Sequence, residues 1–266
     1  MFVGITSALN SIPNLSLGNV IGANIANVTL VAGGAALIGG SIRIRNHAYA
    51  SDLLHSFLAA MSPLFLLMDN VLSRVDALIL IALYGFYNVS LLKRRSEEML
   101  KEEENVFSLF VRKFTHQKVR KDLMFIFLSA AVLLFSADMI VRIGQNIASE
   151  LGISLLLVGI FFVAVGTSLP EFMVDFKAIR DKDTAMFMGN MLGSIVTNGT
   201  LIVGIVALIS PITITAYTDY LVATLFFLLV FMYFYFFVRT KQRLDRWEGL
   251  ALVIAYFIFL AIEFLR

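Results

Sequence analysis

Long apolar runs alternate with short polar connections from one end of this chain to the other. A helix crossing roughly 30 Å of hydrocarbon needs about 20 such residues. The pattern predicts spans at about 17–39, 51–69, 75–92, 122–144, 153–178, 186–209, 217–238 and 247–264. Residues 1–13 read as half a span. One long polar stretch breaks the series: KRRSEEMLKEEENVFSLFVRKFTHQKVRK, at 93–121. It reads as an amphipathic or flexible linker between an N-terminal half, 1–92, and a C-terminal half, 122–266. Its bases also suit anionic lipid headgroups. The expectation is an all-α polytopic membrane protein with about eight full transmembrane helices plus an N-terminal half-helix.

Composition sharpens that picture. The chain is 59% hydrophobic and 15% charged, far from a soluble globular balance. The start lacks the basic region and small-residue cleavage site of a secretory signal. With no cysteine, disulfides, thiolate metal sites and cysteine nucleophiles are excluded. His47, His55 and His116 lie outside any ligand spacing and read as interfacial or solvent-facing. No nucleotide-binding motif supports ATP-driven pumping, and Ser168 has no histidine in a hydrolase context.

If each span reverses direction, the connections near 43–47, 93–121, 177–182 and 239–246 share one side. They hold 18 of the 21 Lys and Arg residues, leaving only Arg74, Arg142 and Arg266 elsewhere. The positive-inside rule places that side, including the 93–121 loop, in the cytoplasm, with the plasma membrane the expected location. The connections Asn10–Ser16 and Ser210–Tyr217 contain no Lys or Arg.

The chain also repeats itself. Residues 18–38, GNVIGANIANVTLVAGGAALI, and 189–209, GNMLGSIVTNGTLIVGIVALI, share 10 of 21 positions without a gap, at an offset of 171. Gly18/Gly189, Asn19/Asn190, Gly22/Gly193 and Asn27/Asn198 are identities that a generic apolar helix has no reason to duplicate. One copy enters from the external side and the other from the cytoplasmic side. Inverted-topology repeats of this kind characterise secondary transporters. The same offset aligns Phe172 with Met1, so Glu171 aligns with a position just before the start. The expectation is that the chain begins from a mis-set initiation codon or is a cut fragment, and that the working protein is longer.

Candidate chemistry concentrates in Gly166-Thr167-Ser168-Leu169-Pro170-Glu171, inside an apolar span. Proline removes a backbone donor and frees a carbonyl about a turn earlier. Two hydroxyls and a carboxylate beside it make a hard-oxygen cluster, suited to Na⁺ or Ca²⁺ rather than a soft metal. An acid at mid-bilayer costs roughly 2.5–3.5 kcal/mol on insertion scales, which marks it as functional. Ser194 and Asn198, four apart, share a helix face. Gly189 and Gly193 form a small-xxx-small pair for close helix approach. Asp175 shares a face with Glu171 and reads as hydrated or paired with Lys177, the other reading being a cation or proton stepping-stone. Asp138 and Arg142 read as an intrahelical pair, the aromatic run at 226–239 as lipid-facing surface, and Trp247 as an interface anchor.

GTSLPE followed by GNxxGSxxxN resembles the alpha-repeat of the sodium/calcium exchangers, the calcium/cation antiporters. Residues 18–38 look like the second half of the other alpha-repeat, so the resemblance covers essentially the whole chain. It implies an inverted-repeat cation antiporter fold, ten helices in two inverted halves of five. The implied activity, transport and not an enzymatic reaction, is exchange of Na⁺ for Ca²⁺ at one alternately accessible central site. Carried onto this sequence, Glu171 is the main carboxylate, Thr167 and Ser168 give hydroxyl or backbone oxygens, and the Ala164 carbonyl serves an outlying Na⁺ site. Ser194 and Asn198 complete the second half and Asn27 contributes from the first. No cofactor is implied, only Ca²⁺ and Na⁺ as transported ions, and nothing sets the oligomeric state. Asn198 stands where Asp is frequent, Ile195 where a polar residue is common, and Ala23 lacks a hydroxyl, which puts selectivity and stoichiometry in question. The alternatives are an H⁺- or K⁺-coupled divalent cation antiporter, or a truncated non-transporting remnant or partner subunit.

Overall fold

The computed structural model describes residues 1–40, 42–43, 47–99 and 119–265. Most of the expected linker therefore lies outside the described residues, as does His116. Each apolar run becomes a helix: α1 (Phe2–Leu9), α2 (Pro13–Gly39), α3 (His47–Leu66), α4 (Arg74–Met99), α5 (Val119–Leu151), α6 (Leu155–Arg180), α7 (Thr184–Ile209), α8 (Tyr217–Lys241) and α9 (Arg246–Leu265). Among the described residues, seven helices are long and apolar enough to cross a bilayer. The helix of the eighth expected span, α9, carries Arg246, Glu248 and Glu263 and is not among those seven. α1 is the expected half-span.

The chemistry at the helix ends explains where they start. Pro13, which has no N–H to leave unsatisfied, sits in the first turn of α2. Ser154 and Asp183 cap α6 and α7, accepting hydrogen bonds from the backbone N–H groups of Leu157 and Met186.

The duplication is written into the backbone as well as the letters. After α1, the amides of Asn10, Ser11 and Ile12 donate to the carbonyls of Thr6, Ala8 and Ser7; after α6, those of Asp181, Lys182 and Asp183 donate to Lys177, Ile179 and Ala178. Every donor and acceptor is displaced by 171. Ser11 and Lys182, also 171 apart, both take a left-handed φ, 58° and 60°. α1 is thus the structural equivalent of the end of α6, and α2 of α7.

Two short antiparallel pairs tie the connections together. β1 (Ile42–Arg43) pairs with β4 (Arg243–Leu244), and β2 (Val71–Leu72) pairs with β3 (Ile212–Thr213). This puts the connections after α2 and α8 at one end and those after α3 and α7 at the other. The charge count grouped them the same way.

α2 lies at the centre, buried along most of its length against α6, α7 and α8, whereas α4 and α5 expose most of theirs. Without a hydrophobic drive between helices in lipid, close approach of small residues replaces it. A Cβ on Gly18 would stand 2.0 Å from the Leu156 carbonyl oxygen, and one on Gly22 2.2 Å from that of Ile160. Only glycine lets α2 and α6 meet there. The equivalent Gly189 and Gly193 have nothing within 4 Å. The pair that reads as packing in sequence is packed in one copy and open in the other.

One expectation is corrected. The aromatic run of α8 is not simply lipid-facing: Phe227, Phe231, Phe234 and Val238 are buried, while Leu225, Leu229, Met232 and Phe236 are exposed. Their spacing of three and four makes an inward stripe, with Phe231 stacked on Phe57 at 4.7 Å between ring centroids. Trp247 is exposed, as an interface anchor requires.

Candidate functional site

Three helices bring polar residues into the middle of the apolar body: α2, α6 and α7. Each contains a wider π turn, at Asn27–Val31, Gly159–Val163 and Thr197–Ile202. Such turns are rare and concentrate at functional sites, because the extra residue re-aims neighbouring side chains and loosens the carbonyl ladder. The turns of α2 and α7 fall at equivalent repeat positions. Within them Thr29 and Thr200 donate to the carbonyls of Ile25 and Val196, each at 2.6 Å.

Beside the turns of α2 and α7 lies a cavity of about 610 Å³. Glu171, Thr167, Ser168, Asn27, Ser194 and Asn198 all line it. Six of the seven residues singled out in the sequence therefore meet in one place, although they come from segments up to 171 residues apart. Ala164 does not line the cavity; it is buried one turn earlier, and its carbonyl lies 3.3 Å from Thr167 Oγ1. Pro170, which cannot donate to the Gly166 carbonyl, sits beside Glu171 at the cavity wall.

At Asn198 and Thr167 the hydrogen bonds turn a proton toward the wall. Asn198 spends an amide hydrogen on Asn24 Oδ1 at 2.9 Å, across the two repeats. Thr167 Oγ1 lies 2.8 Å from Asn19 Oδ1 and 3.0 Å from the Val163 carbonyl, so its single proton goes to an acceptor in the wall. Glu171 Oε2 and Asn27 Oδ1 are buried and accept no hydrogen bond. An unsatisfied buried acceptor costs about 1–3 kcal/mol, more when charged. Two of them at one cavity make a place where a cation is stabilised.

Glu171 is the one Asp or Glu among the residues that line this cavity. Among the described residues no group of three or more His, Cys, Asp or Glu is placed to hold a metal. One carboxylate with neutral hydroxyl and amide oxygens is the donor set of a hard, weakly held cation rather than of a tightly bound transition metal.

Sequence reasoning missed several lining residues. Asn19 and Asn190 carried a signal, since both are duplicated, yet they were read only as repeat markers. Ser136 and Thr197 carried none, nor did Asn24, which lies behind the wall and accepts from Asn198. Asp175 is corrected: it is buried, and its partner is Asn190 Nδ2 at 2.9 Å, not Lys177, which is exposed. The Asp138–Arg142 pair forms as expected, at 2.7 Å.

The sodium/calcium exchanger MaX1 of Methanosarcina acetivorans is 34% identical over 149 residues, which are 54% of this chain and 41% of that protein. An uncharacterized membrane protein of Methanocaldococcus jannaschii is 28% identical over 251 residues, 94% of this chain and 76% of its own length. Among solved structures, the sodium-calcium exchanger NCX_Mj matches with a TM-score of 0.66 at 24% identity, covering 98% of this chain and 84% of that one. The H⁺/Ca²⁺ exchanger CAX matches with a TM-score of 0.66 at 18% identity, covering 98% and 69%. These two likenesses are of fold, a helical cation antiporter architecture. The model of the sodium/calcium exchanger protein family matches residues 1–93 and 121–265, both halves on either side of the linker. This chain is a multi-pass integral membrane protein and belongs to the sodium/calcium exchanger family.

Proposed function

We propose that this protein is a secondary active transporter exchanging Na⁺ for Ca²⁺ across the membrane, by alternating access at the cavity between α2, α6 and α7. The observation that carries this reading is the pair of unsatisfied buried oxygens, Glu171 Oε2 and Asn27 Oδ1, contributed to one cavity by opposite repeats. Both ions prefer hard oxygens but differ in charge, so a shared carboxylate holds one or the other and couples their movements. Glu171 is the shared charge; Thr167, Ser168, Ser194, Asn198 and Asn27 supply neutral oxygens, and the Ala164 carbonyl serves a Na⁺ one turn away. Access alternates as α5, which brings Ser136 and Ile140 to the cavity wall, moves against the repeat helices. An exchange that moves net charge senses voltage, at about 2.3 kcal/mol per elementary charge per 100 mV. The loop 93–121 faces the cytoplasm, and the plasma membrane is the expected site of action.

A second reading couples Ca²⁺ to H⁺. It is favoured by the fold likeness to the H⁺/Ca²⁺ exchanger and by the single carboxylate at the cavity, which a proton neutralises as well as Na⁺ does. Reconstituted vesicles separate the two. Ca²⁺ uptake driven by an outward Na⁺ gradient at fixed pH supports Na⁺ exchange. Uptake indifferent to Na⁺ but driven by a pH gradient overturns it in favour of the proton.

A further inference from the structure

One buried acid takes no part in the cavity described above. Asp175 lies four residues after Glu171 on α6, about 6 Å further along the axis, toward the turn that leads into α7. It is 1% exposed, and only one of its oxygens is used: Oδ1 accepts from Asn190 Nδ2 at 2.9 Å, while Oδ2 is buried and accepts nothing. Asn190 lines the main cavity, so this carboxylate sits one side chain behind its wall. The donated hydrogen sets which end of the Asn190 carboxamide faces Asp175, and its Oδ1 is by chemistry an acceptor. Asp175 Oδ2 is thereby left as a buried carboxylate oxygen without a partner, one side chain behind the cavity wall.

The repeat makes this feature asymmetric. At the offset of 171, Asn190 has its counterpart in Asn19, but Asp175 has Gly4. In the first copy Asn19 meets Thr167, a neutral hydroxyl. The buried carboxyl group therefore exists on one flank of the cavity only. A structural hydrogen bond to Asn190 would need a neutral acceptor and no more. A carboxyl with a free buried oxygen can in addition ionise when a cation is there to pair with it.

We propose that Asp175 and Asn190 form a second cation position, one helical turn from Glu171 on the side of the α6–α7 turn, taking a monovalent alkali ion of the Na⁺ type. A single charge with few oxygens matches a monovalent ion, whereas Ca²⁺ takes six to eight ligands. In the exchange reading, on which this rests, the position holds Na⁺ beside the central site and makes the two faces of the transporter unequal.

Carbodiimide labelling of the purified full-length chain, read residue by residue by peptide mass spectrometry, tests both ideas separately. Na⁺, but not choline at the same ionic strength, is expected to lower labelling of Asp175 several-fold, and to do so equally in Glu171→Gln. Labelling of Asp175 that ignores Na⁺, an Asp175 that never labels, or protection that disappears in Glu171→Gln overturns the second position. Labelling of Glu171 that ignores both Na⁺ and Ca²⁺ overturns the exchange site instead. Asp175→Asn keeps the acceptor for Asn190 and removes the charge. A several-fold weaker Na⁺ dependence of Ca²⁺ flux in that variant is expected; an unchanged one reduces Asp175 to a structural clamp and overturns the inference.

Discussion

Asn198 of α7 donates its side-chain amide to Asn24 Oδ1 of α2 at 2.9 Å, joining the two inverted repeats at the wall of their common cavity. With one amide hydrogen so engaged, the orientation of the Asn198 carboxamide is set, and its carbonyl oxygen is the atom it can offer an ion. Asn24 itself is buried and does not line the cavity, so its effect is exerted through Asn198.

Asn24→Leu is therefore expected to lose one buried hydrogen bond, worth about 1 kcal/mol, and to weaken apparent ion affinity roughly fivefold. Asn24→Asp keeps the acceptor and should retain the amide orientation. The check is the concentration dependence of Ca²⁺ flux in reconstituted vesicles. Equal losses in both variants would show that Asn24 acts by something other than accepting this hydrogen bond.

The glycines of the two repeats should behave unequally. Gly18→Ala and Gly22→Ala place a methyl inside contact distance of the α6 backbone, and overpacking of this kind costs about 1–3 kcal/mol or more. Gly189→Ala and Gly193→Ala meet nothing within 4 Å. Thermal melting of the four variants in one detergent is expected to separate them into two pairs, the α2 pair melting lower.

Glu248 holds the start of α9. Its Oε2 accepts from the Asp245 amide at 2.8 Å, and its Oε1 pairs with Lys241 at the end of α8. Lys241 is 44% exposed, so the charge pair alone is worth little, and the buried cap dominates. Glu248→Ala is expected to cost about 1–2 kcal/mol, whereas Lys241→Met should cost well under half of that. Comparable losses in chemical denaturation would shift the weight from the cap to the ion pair.

The exposed Asp138–Arg142 pair on α5 makes the opposite case. Arg142 is 68% exposed, and an i,i+4 surface pair contributes only a few tenths of a kcal/mol. Arg142→Ala should leave melting unchanged within error and leave Ca²⁺ flux intact. A large loss of flux with normal melting would give Asp138 an ion-handling role.

Much of this was legible because a membrane restricts what a chain can do. Apolar runs of the right length had to be helices, and the duplicated Asn19/Asn190 and Asn27/Asn198 fixed which helices are equivalent. The pairing of β1 with β4 and β2 with β3 then follows from the same inversion. Other features depend on packing and left no mark in the letters. The π turns at Asn27 and Thr197 follow no residue pattern that apolar periodicity reads. Asn24 faces Asn198 from a position where the repeats diverge, opposite Ile195 in the alignment, so duplication could not flag it. Asp175 was matched to Lys177 by proximity in sequence, but residues two apart on a helix do not face each other, and the partner came from α7. The outward aromatic run failed for a related reason: composition does not tell which stripe of a helix is turned inward.

The most direct measurement is equilibrium binding of radioactive Ca²⁺ to the purified chain, titrated with Na⁺ at constant ionic strength, in wild type and in Glu171→Gln. A single shared site predicts Ca²⁺ binding that Na⁺ displaces competitively, and its loss when Glu171 is neutralised. Ca²⁺ binding that survives Glu171→Gln, or that Na⁺ leaves untouched, would contradict a common carboxylate for the two ions.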